Sequence, residues 1–273
     1  MRRRYLRYLL LGIASVALAS VIFPSRSHRH GHPRTYEEIV ASDTLRVTTE
    51  YNSVSFHVRG DSLEGFHYEL ARAFAHDKGL QLKVLPEMSI GRQIEGICHG
   101  EYDLIANGLL VTVESKDSLL LFTEPILKNK QVLVQRKHQE GDSLTFVRNQ
   151  LDLGGKTVYI SSHSSIAHRI HNLSHEIGDT IFIHEEESYG EEQLLFMVAH
   201  GDIDYAVCEE HIARRLLPDF PQLDIATQIS FNQFYAWGVS RKSTALCDTL
   251  NAWLTHYMRQ PAYRRLLKKY KLK

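Results

Sequence analysis

The stretch His99-Gly100-Glu101-Tyr102-Asp103 recurs 101 residues later as His200-Gly201-Asp202-Ile203-Asp204. Before each copy, apolar residues at helical spacing predict an amphipathic helix, and after each copy a short apolar strand is predicted. The glycine suits the helix end because it adopts the left-handed conformation without steric cost, and the aspartate suits the turn into the strand. Two α/β units of one pattern predict two lobes, and we expect the functional site in the cleft between them.

The overall composition is that of an ordinary globular protein. The chain has 273 residues, of which 43% are hydrophobic and 23% charged, and its 32 basic residues equal its 32 acidic ones. This balance leaves no basic field that would favour a nucleic acid as partner. The three cysteines are too few and too scattered to predict a disulfide framework or a zinc site.

The N-terminus has the pattern of an export signal. Four arginines among the first seven residues precede an uncharged, mostly apolar run from Tyr8 to Ser25. Ala17-Leu18-Ala19 fits a signal-peptidase site, but the run is also long enough to stay in the inner membrane as an anchor. Residues 1–25 are therefore either a signal peptide or a membrane anchor, and residues 26–43 a polar linker. In both cases we expect the remainder to be periplasmic or otherwise extracytoplasmic.

The rest of the chain alternates between strand and helix patterns. A strand-like stretch, Leu45–Thr49, marks the expected start of the folded part, and Glu191–His200 is among the predicted helices. The polar run Lys137–Ser143 suggests a boundary between lobes. Strands alternating with helices predict an α/β fold with mainly parallel sheets flanked by helices.

Several of these stretches, in this order, resemble the extracytoplasmic solute-binding proteins of family 3, which bind polar amino acids for ABC-type transporters. The stretches are Leu45–Thr49, Glu64–Ala71, His99–Asp103, Asn107–Leu109, Phe122–Pro125, Leu153–Val158, His200–Asp204 and Tyr235–Val239. Within that family, Gly65–Ala71 and Asp204-Tyr205 are most similar to the non-catalytic N-terminal domain of the membrane-bound lytic murein transglycosylases.

The resemblance implies a two-lobed, periplasmic-binding-protein-like fold of type 2. The first lobe would comprise residues 44–133 plus 232–273, and the second lobe residues 134–231. Two crossing hinge strands would join them, so that the lobes close around a small ligand.

The resemblance also implies ligand contacts on both lobes. On the first lobe they are Glu50, Tyr51, Phe56, Asn107, Gly108, Thr112 and Lys116. On the second lobe they are Ser162, Ser164, Ser165 and Glu209. The family's carboxylate-binding arginine is replaced by Ser115, and the adjacent Lys116 lacks the bidentate geometry of an arginine. This departure argues against an ordinary free amino acid.

Each of these residues also has a plainer structural interpretation, which the sequence leaves open. Lys116 suits a surface position as well as a ligand contact, and serines at a helix start can serve only as caps. Tyr51 and Phe56 could pack in the core. Glu209, next to Glu210, could belong to an acidic helix start.

Three functions are compatible with this sequence. The first is a solute-binding protein that delivers an amino acid, short peptide or related zwitterion to a membrane permease. The second is a sensor or regulator of cell-wall metabolism with a cell-wall enzyme as partner. A dehydratase-type enzyme is a distant third. The chain lacks hydrolase, metalloprotease and nucleotide-binding motifs and stops too early for a lytic transglycosylase domain, so we predict no catalytic residue, metal or cofactor.

Overall fold

The computed structural model describes residues 31–111, 119–138, 146–162, 164, 166–187 and 189–272. The predicted signal or anchor segment, Tyr8–Ser25, lies outside these residues. Within the described part of the chain, no helix is long and apolar enough to cross a membrane.

Strands and helices alternate along the described chain. The strands are β1 (Thr44–Thr49), β2 (His57–Arg59), β3 (Ser62–Glu64), β4 (Gln81–Pro86), β5 (Leu104–Leu110), β6 (Leu120–Phe122), β7 (Leu127–Asn129), β8 (Gln131–Arg136), β9 (Thr157–Ser161), β10 (Phe182–Glu186), β11 (Ala206–Glu209), β12 (Leu223–Asp224) and β13 (Gln233–Ser240). The helices are α1 (Tyr36–Ala41), α2 (Phe66–Asp77), α3 (Ile90–Cys98), α4 (Ile166–Ile177), α5 (Glu191–His200), α6 (Glu210–Leu216), α7 (Thr244–Tyr257) and α8 (Pro261–Tyr270).

Two larger sheets organise the fold, each at the centre of one lobe. The first has the strand order β4-β1-β5-β13-β6, with β7 also paired to β13. The second has the order β10-β9-β11-β8-β12. Each sheet has its own buried apolar cores, and the largest of them packs helices α2, α7 and α8 against the first sheet. The two-lobed α/β class predicted from the sequence therefore agrees with the structure.

The sheets are mixed, whereas mainly parallel sheets were expected. In the first, β1 runs parallel to β4 and β5, but β13 runs antiparallel to β5, β6 and β7. In the second, β9 runs parallel to β10 and β11, but β8 runs antiparallel to β11 and β12. The strands that run antiparallel to their neighbours are β8 and β13. Each is the strand that the chain enters after crossing from the other sheet, and the crossing sets its direction.

The chain passes between the sheets twice. It leaves the first sheet after β7, at Asn129, and enters the second at Gln131, with Lys130 between them. It returns between Asp224 and Gln233. The expected boundary after residue 133 therefore falls inside β8, and Lys130 is a better place for the first crossing.

The repeated His-Gly-x-x-Asp units behave as predicted at their glycines. Gly100 and Gly201 have φ values of +71° and +85°, which only glycine adopts freely. Helix α3 ends just before the first unit and α5 within the second, and each unit is followed by a strand.

The two aspartates of the repeat differ in their surroundings. The Asp103 carboxylate has no accessible surface, accepts hydrogen bonds from the Arg34 guanidinium, and accepts another from the backbone N–H of Arg46 at 2.7 Å. The Asp204 side chain keeps 63% of its accessible surface and pairs with Arg136 at 2.5 Å. Burial makes the first contact far more important to stability than the second.

The contact between Arg34 and Asp103 corrects the expected start of the folded part. Helix α1 lies inside residues 26–43, the predicted linker, and buries Ile39 completely. Thr35 caps this helix through a capping box with Glu38. The expectation that the fold begins at Leu45 is therefore wrong, because the chain is already docked at Arg34.

We predict that Asp103→Ala lowers the free energy of unfolding by about 3 kcal/mol, because it leaves buried donors on Arg34 and Arg46 without a partner. Asp204→Ala, the matched change in the other copy of the repeat, should cost no more than about 1 kcal/mol. Urea denaturation of the two variants measures both values. Equal losses would show that Asp103 has no special structural role.

Candidate functional site

A cavity of about 210 Å³ lies between the two lobes, with walls from both. It opens where parallel strands of each sheet reach their carboxyl ends, since Glu50 follows β1, Ser162 follows β9 and Glu209 ends β11. Ligands of open α/β sheets bind at such strand ends. This position makes the cavity the candidate functional site.

On the first lobe, a chain of amide groups positions Glu50. Its backbone N–H donates to Asn107 Oδ1 at 2.9 Å, and its carboxylate Oε2 accepts from Asn52 Nδ2 at 3.2 Å. Asn107 is held in turn by Gln93, whose Oε1 accepts from Asn107 Nδ2 at 2.7 Å. Glu50, Asn52 and Asn107 all line the cavity, so this part of its first-lobe wall is polar and hydrogen-bonded.

On the second lobe, two further carboxylates face the same cavity. Glu191 is the first residue of α5, and its Oε2 accepts from the backbone N–H of Glu209 at 2.7 Å. The Oε2 of Glu209 accepts from Asn129 Nδ2 at 3.0 Å. The site therefore brings together three glutamates from three different elements.

Loss of hydration dominates the electrostatics of these glutamates. Desolvation raises the pKa of Glu50 to about 7, with the nearby Glu192 adding to the shift and the hydrogen bond from Asn52 opposing it. Desolvation, with repulsion from Glu50, raises the pKa of Glu191 to about 8. The pKa of Glu209 is also raised well above its ordinary value, by desolvation and by repulsion from Glu191 and Glu50. Near neutral pH these buried carboxyl groups therefore bind protons that exposed carboxylates would have released.

A neutral histidine completes the first-lobe wall. Trp237 donates its indole N–H to His67 Nδ1 at 3.0 Å, and both residues are buried. Because Nδ1 accepts, the proton of the neutral ring lies on Nε2. Desolvation lowers the pKa of His67 to about 3, with repulsion from His211 adding to the shift. His67 therefore offers the cavity a hydrogen-bond donor without a charge.

Gly108 allows the two lobes to approach at this point. A Cβ built on this residue would lie 3.0 Å from the Tyr235 ring, 3.7 Å from Glu209 Oε2 and 3.8 Å from His67 Nε2. A larger side chain here would occupy the space between these groups.

The structure brings together most of the described residues that the sequence suggested for the site. Those lining the cavity are Glu50, Asn107, Gly108, Ser162, Ser164 and Glu209. Thr112, Lys116 and Ser165 lie outside the described residues.

Tyr51 and Phe56 are not among the lining residues. The Tyr51 side chain is 46% exposed, and Phe56 is buried in edge-to-face contact with Tyr51 and Tyr68. The loop after β1 places these rings in an aromatic cluster, and their role as ligand walls stays a prediction.

The lining residues that the sequence did not suggest include four with ionisable or amide side chains that bear on the chemistry of the site: His67, Gln131, Glu191 and His211. Three of them lie at ordinary helix positions, and Gln131 begins a strand. The pair Glu191-Glu192 at a helix start was a weak indication of a binding site. Acidic residues are common at that position simply because they interact favourably with the helix dipole.

With this geometry established, similarity to known proteins identifies the family. The bacterial extracellular solute-binding proteins, family 3, match residues 45–273. The chain belongs to this family. This solute-binding protein is also 30% identical over 236 residues to membrane-bound lytic murein transglycosylase F of Saccharophagus degradans, a match that covers 86% of this chain and 45% of that protein. The chain spans about half the length of the curated relatives it matches.

Solved structures show the same fold. Holo ArgBP from T. maritima superposes with a TM-score of 0.71 at 23% identity, covering 86% of this chain and 99% of that one. An ancestral arginine-binding protein bound to arginine gives a TM-score of 0.72 at 22% identity, covering 84% of this chain and 98% of that one. The type 2 periplasmic-binding-protein fold of this family member is thereby confirmed.

The raised carboxyl pKa values predict a pH-dependent stability. A folded-state pKa above the unfolded value means that the folded site holds extra protons, and the stability they support is lost as pH rises through about 7 to 8. The glutamine in Glu191→Gln cannot ionise. The Tm of this variant minus the Tm of the unchanged protein should therefore increase from pH 5.5 to pH 8.5. One pKa unit is worth about 1.4 kcal/mol, and 1 kcal/mol moves the Tm by roughly 2–4 °C.

Thermal unfolding followed by circular dichroism at several pH values measures this difference. The control is Glu187→Gln, which removes one acidic group from an exposed position of the same lobe. A Tm difference between Glu191→Gln and the unchanged protein that does not vary with pH would contradict the prediction.

Proposed function

We propose that this protein is an extracytoplasmic solute-binding protein that captures a small, amine-bearing polar ligand in the cavity between its lobes and delivers it to an ABC-type transporter. The observation that carries the proposal is the convergence of buried polar groups from both lobes on one cavity of about 210 Å³. Membership of family 3 and likeness to amino-acid-binding structures support it. Amino acids, short peptides and simple amines all belong to the ligand class proposed.

The connections between the lobes suit capture by closure. Only two crossings join the sheets in the described chain, at Lys130 and between Asp224 and Gln233. Across the cleft, the backbone N–H of Ser53 donates to Glu192 Oε1 at 2.8 Å. Rotation about the crossings would break this contact and expose the cavity, which is the hinge motion of ligand-binding proteins.

A second candidate function is ligand sensing in cell-wall metabolism. The similarity to membrane-bound lytic murein transglycosylases over 86% of the chain favours it. In this role the same cavity would bind a wall-derived peptide, and closure would be reported to a partner enzyme rather than to a permease. Under either function we propose a location outside the cytoplasm, with the protein either released after cleavage or held at the membrane by residues 8–25.

Ligand capture predicts thermal stabilisation of the full chain by its ligand. A ligand at a hundred times its Kd adds ~2.7 kcal/mol, which corresponds to a rise in Tm of roughly 5–10 °C for a domain of this size. A thermal-shift screen should cover amino acids, short peptides, muropeptides and simple amines. Glu209→Gln should weaken binding of the hit about tenfold or more, since it removes a charge facing the ligand, whereas Glu187→Gln should not. Absence of any hit would refute ligand capture.

Uptake by cells separates transport from sensing. Deletion of this protein should abolish import of the labelled hit if the protein serves a permease, and reintroduction of the Glu209→Gln variant should not restore it. Unchanged import by the deletion strain, together with tight binding in vitro, would favour the sensor.

A further inference from the structure

The charge balance of the cavity is one-sided. Glu50, Glu191 and Glu209 face it, and the described residues that line it include no lysine or arginine. Lys130, beside the lining residue Gln131, is engaged with Glu210 at 3.5 Å. The two lining histidines stay neutral, because desolvation lowers the pKa of His67 to about 3 and that of His211 to about 4. The described wall therefore offers three carboxyl groups, which a bound cation would ionise, and no compensating positive group.

An unpartnered acceptor lies in the same wall. Gln131 is 1% exposed and lines the cavity, and its Oε1 accepts no hydrogen bond, although its side chain lies beside the Tyr235 hydroxyl. A buried acceptor left without a partner costs about 1–3 kcal/mol. A ligand that donates hydrogen bonds would remove this cost, whereas a ligand carboxylate, which only accepts, would not.

The carboxylates also retain acceptor capacity. Among the described residues, the bonds from Asn52, the Glu209 backbone and Asn129 engage the Oε2 of Glu50, Glu191 and Glu209 respectively. None of these three bonds uses the Oε1 atom of its glutamate, so each Oε1 remains able to accept a hydrogen bond from a ligand. An ammonium group carries three N–H donors and no acceptor, so it matches such oxygens.

The place expected to hold a ligand carboxylate keeps only part of its donors. The backbone N–H of Ser162, in the loop before α4, already donates to the Glu186 carbonyl at 2.9 Å, and among the described residues there the buried Ser164 hydroxyl is left without a partner. A zwitterion would add a fourth carboxylate to the three already enclosed, while its single ammonium would offset only one of them. A molecule with two ammonium groups and no carboxylate reduces the repulsion most.

We infer that the ligand is a short aliphatic diamine without a carboxylate, whose two ammonium groups lie among Glu50, Glu191, Glu209 and the Gln131 amide oxygen, an inference that rests on the proposed function of ligand capture. The cavity volume agrees with this size. A cavity of about 150 Å³ is enough to bind benzene, so about 210 Å³ leaves room for a short-chain diamine.

Isothermal titration of the full chain at pH 7 with three matched probes tests the inference. The probes are 1,5-diaminopentane, lysine, which differs from it only by the α-carboxylate, and 1-aminopentane, which lacks the second amine. We expect 1,5-diaminopentane to bind at least about tenfold more tightly than either, because each close charge pair contributes to affinity. Glu191→Gln should weaken diamine binding by about tenfold or more, and Glu187→Gln should leave it unchanged.

Each outcome decides one point. Lysine binding as tightly as the diamine would overturn the inference and leave ligand capture standing, as would equal binding of 1-aminopentane. If the diamine, amino acids and peptides all fail to bind, the proposed function falls together with the inference. If Glu191→Gln fails to fold, as judged by its Tm without ligand, Glu50→Gln on the opposite lobe supplies the same test.

Discussion

Three carboxylates enclosed between two lobes constrain the closed form of this protein. Desolvation raises the pKa of Glu50 on one side and of Glu191 and Glu209 on the other, and repulsion from Glu50 adds to the shift of both second-lobe carboxyls. A closed cavity is stable only when these carboxyl groups are protonated or when a positively charged ligand is bound. The free energy of closure is thereby linked to what occupies the cavity, and a hinged binding protein depends on such linkage to distinguish its empty and filled forms.

The two halves of the molecule show how one local pattern serves different structural needs. Both His-Gly-x-x-Asp units use a left-handed glycine at the end of a helix. In the first copy the aspartate is fully buried and fixes the N-terminal segment through Arg34, whereas in the second it is a solvent-exposed partner of Arg136. Only the first lobe receives a chain segment that must be docked there, and this explains the difference.

The sequence predicted the elements well where the pattern was long and periodic. Glu191–His200 has the expected bounds. Helix α1 was missed because it is short and has one fully buried apolar residue, Ile39, so it carries little periodicity. Likewise, Glu50 and Glu209 could be suggested because the family resemblance implies an acidic residue at each of these strand ends. Gln131 and His67 could not, because nothing local distinguishes a strand or helix residue that faces a cavity from one that faces a core.

The hydrogen bond from Trp237 to His67 has an optical consequence. The chain has two tryptophans. The indole of Trp237 is one hydrogen bond away from a cavity-lining ring, whereas Trp253 donates to Asp77 at 2.8 Å and stacks on Tyr257 away from the cavity. Indole emission depends on the polarity and hydrogen bonding around the ring. The molecule therefore contains its own fluorescent reporter of cavity occupancy, together with an internal reference, and no label has to be attached.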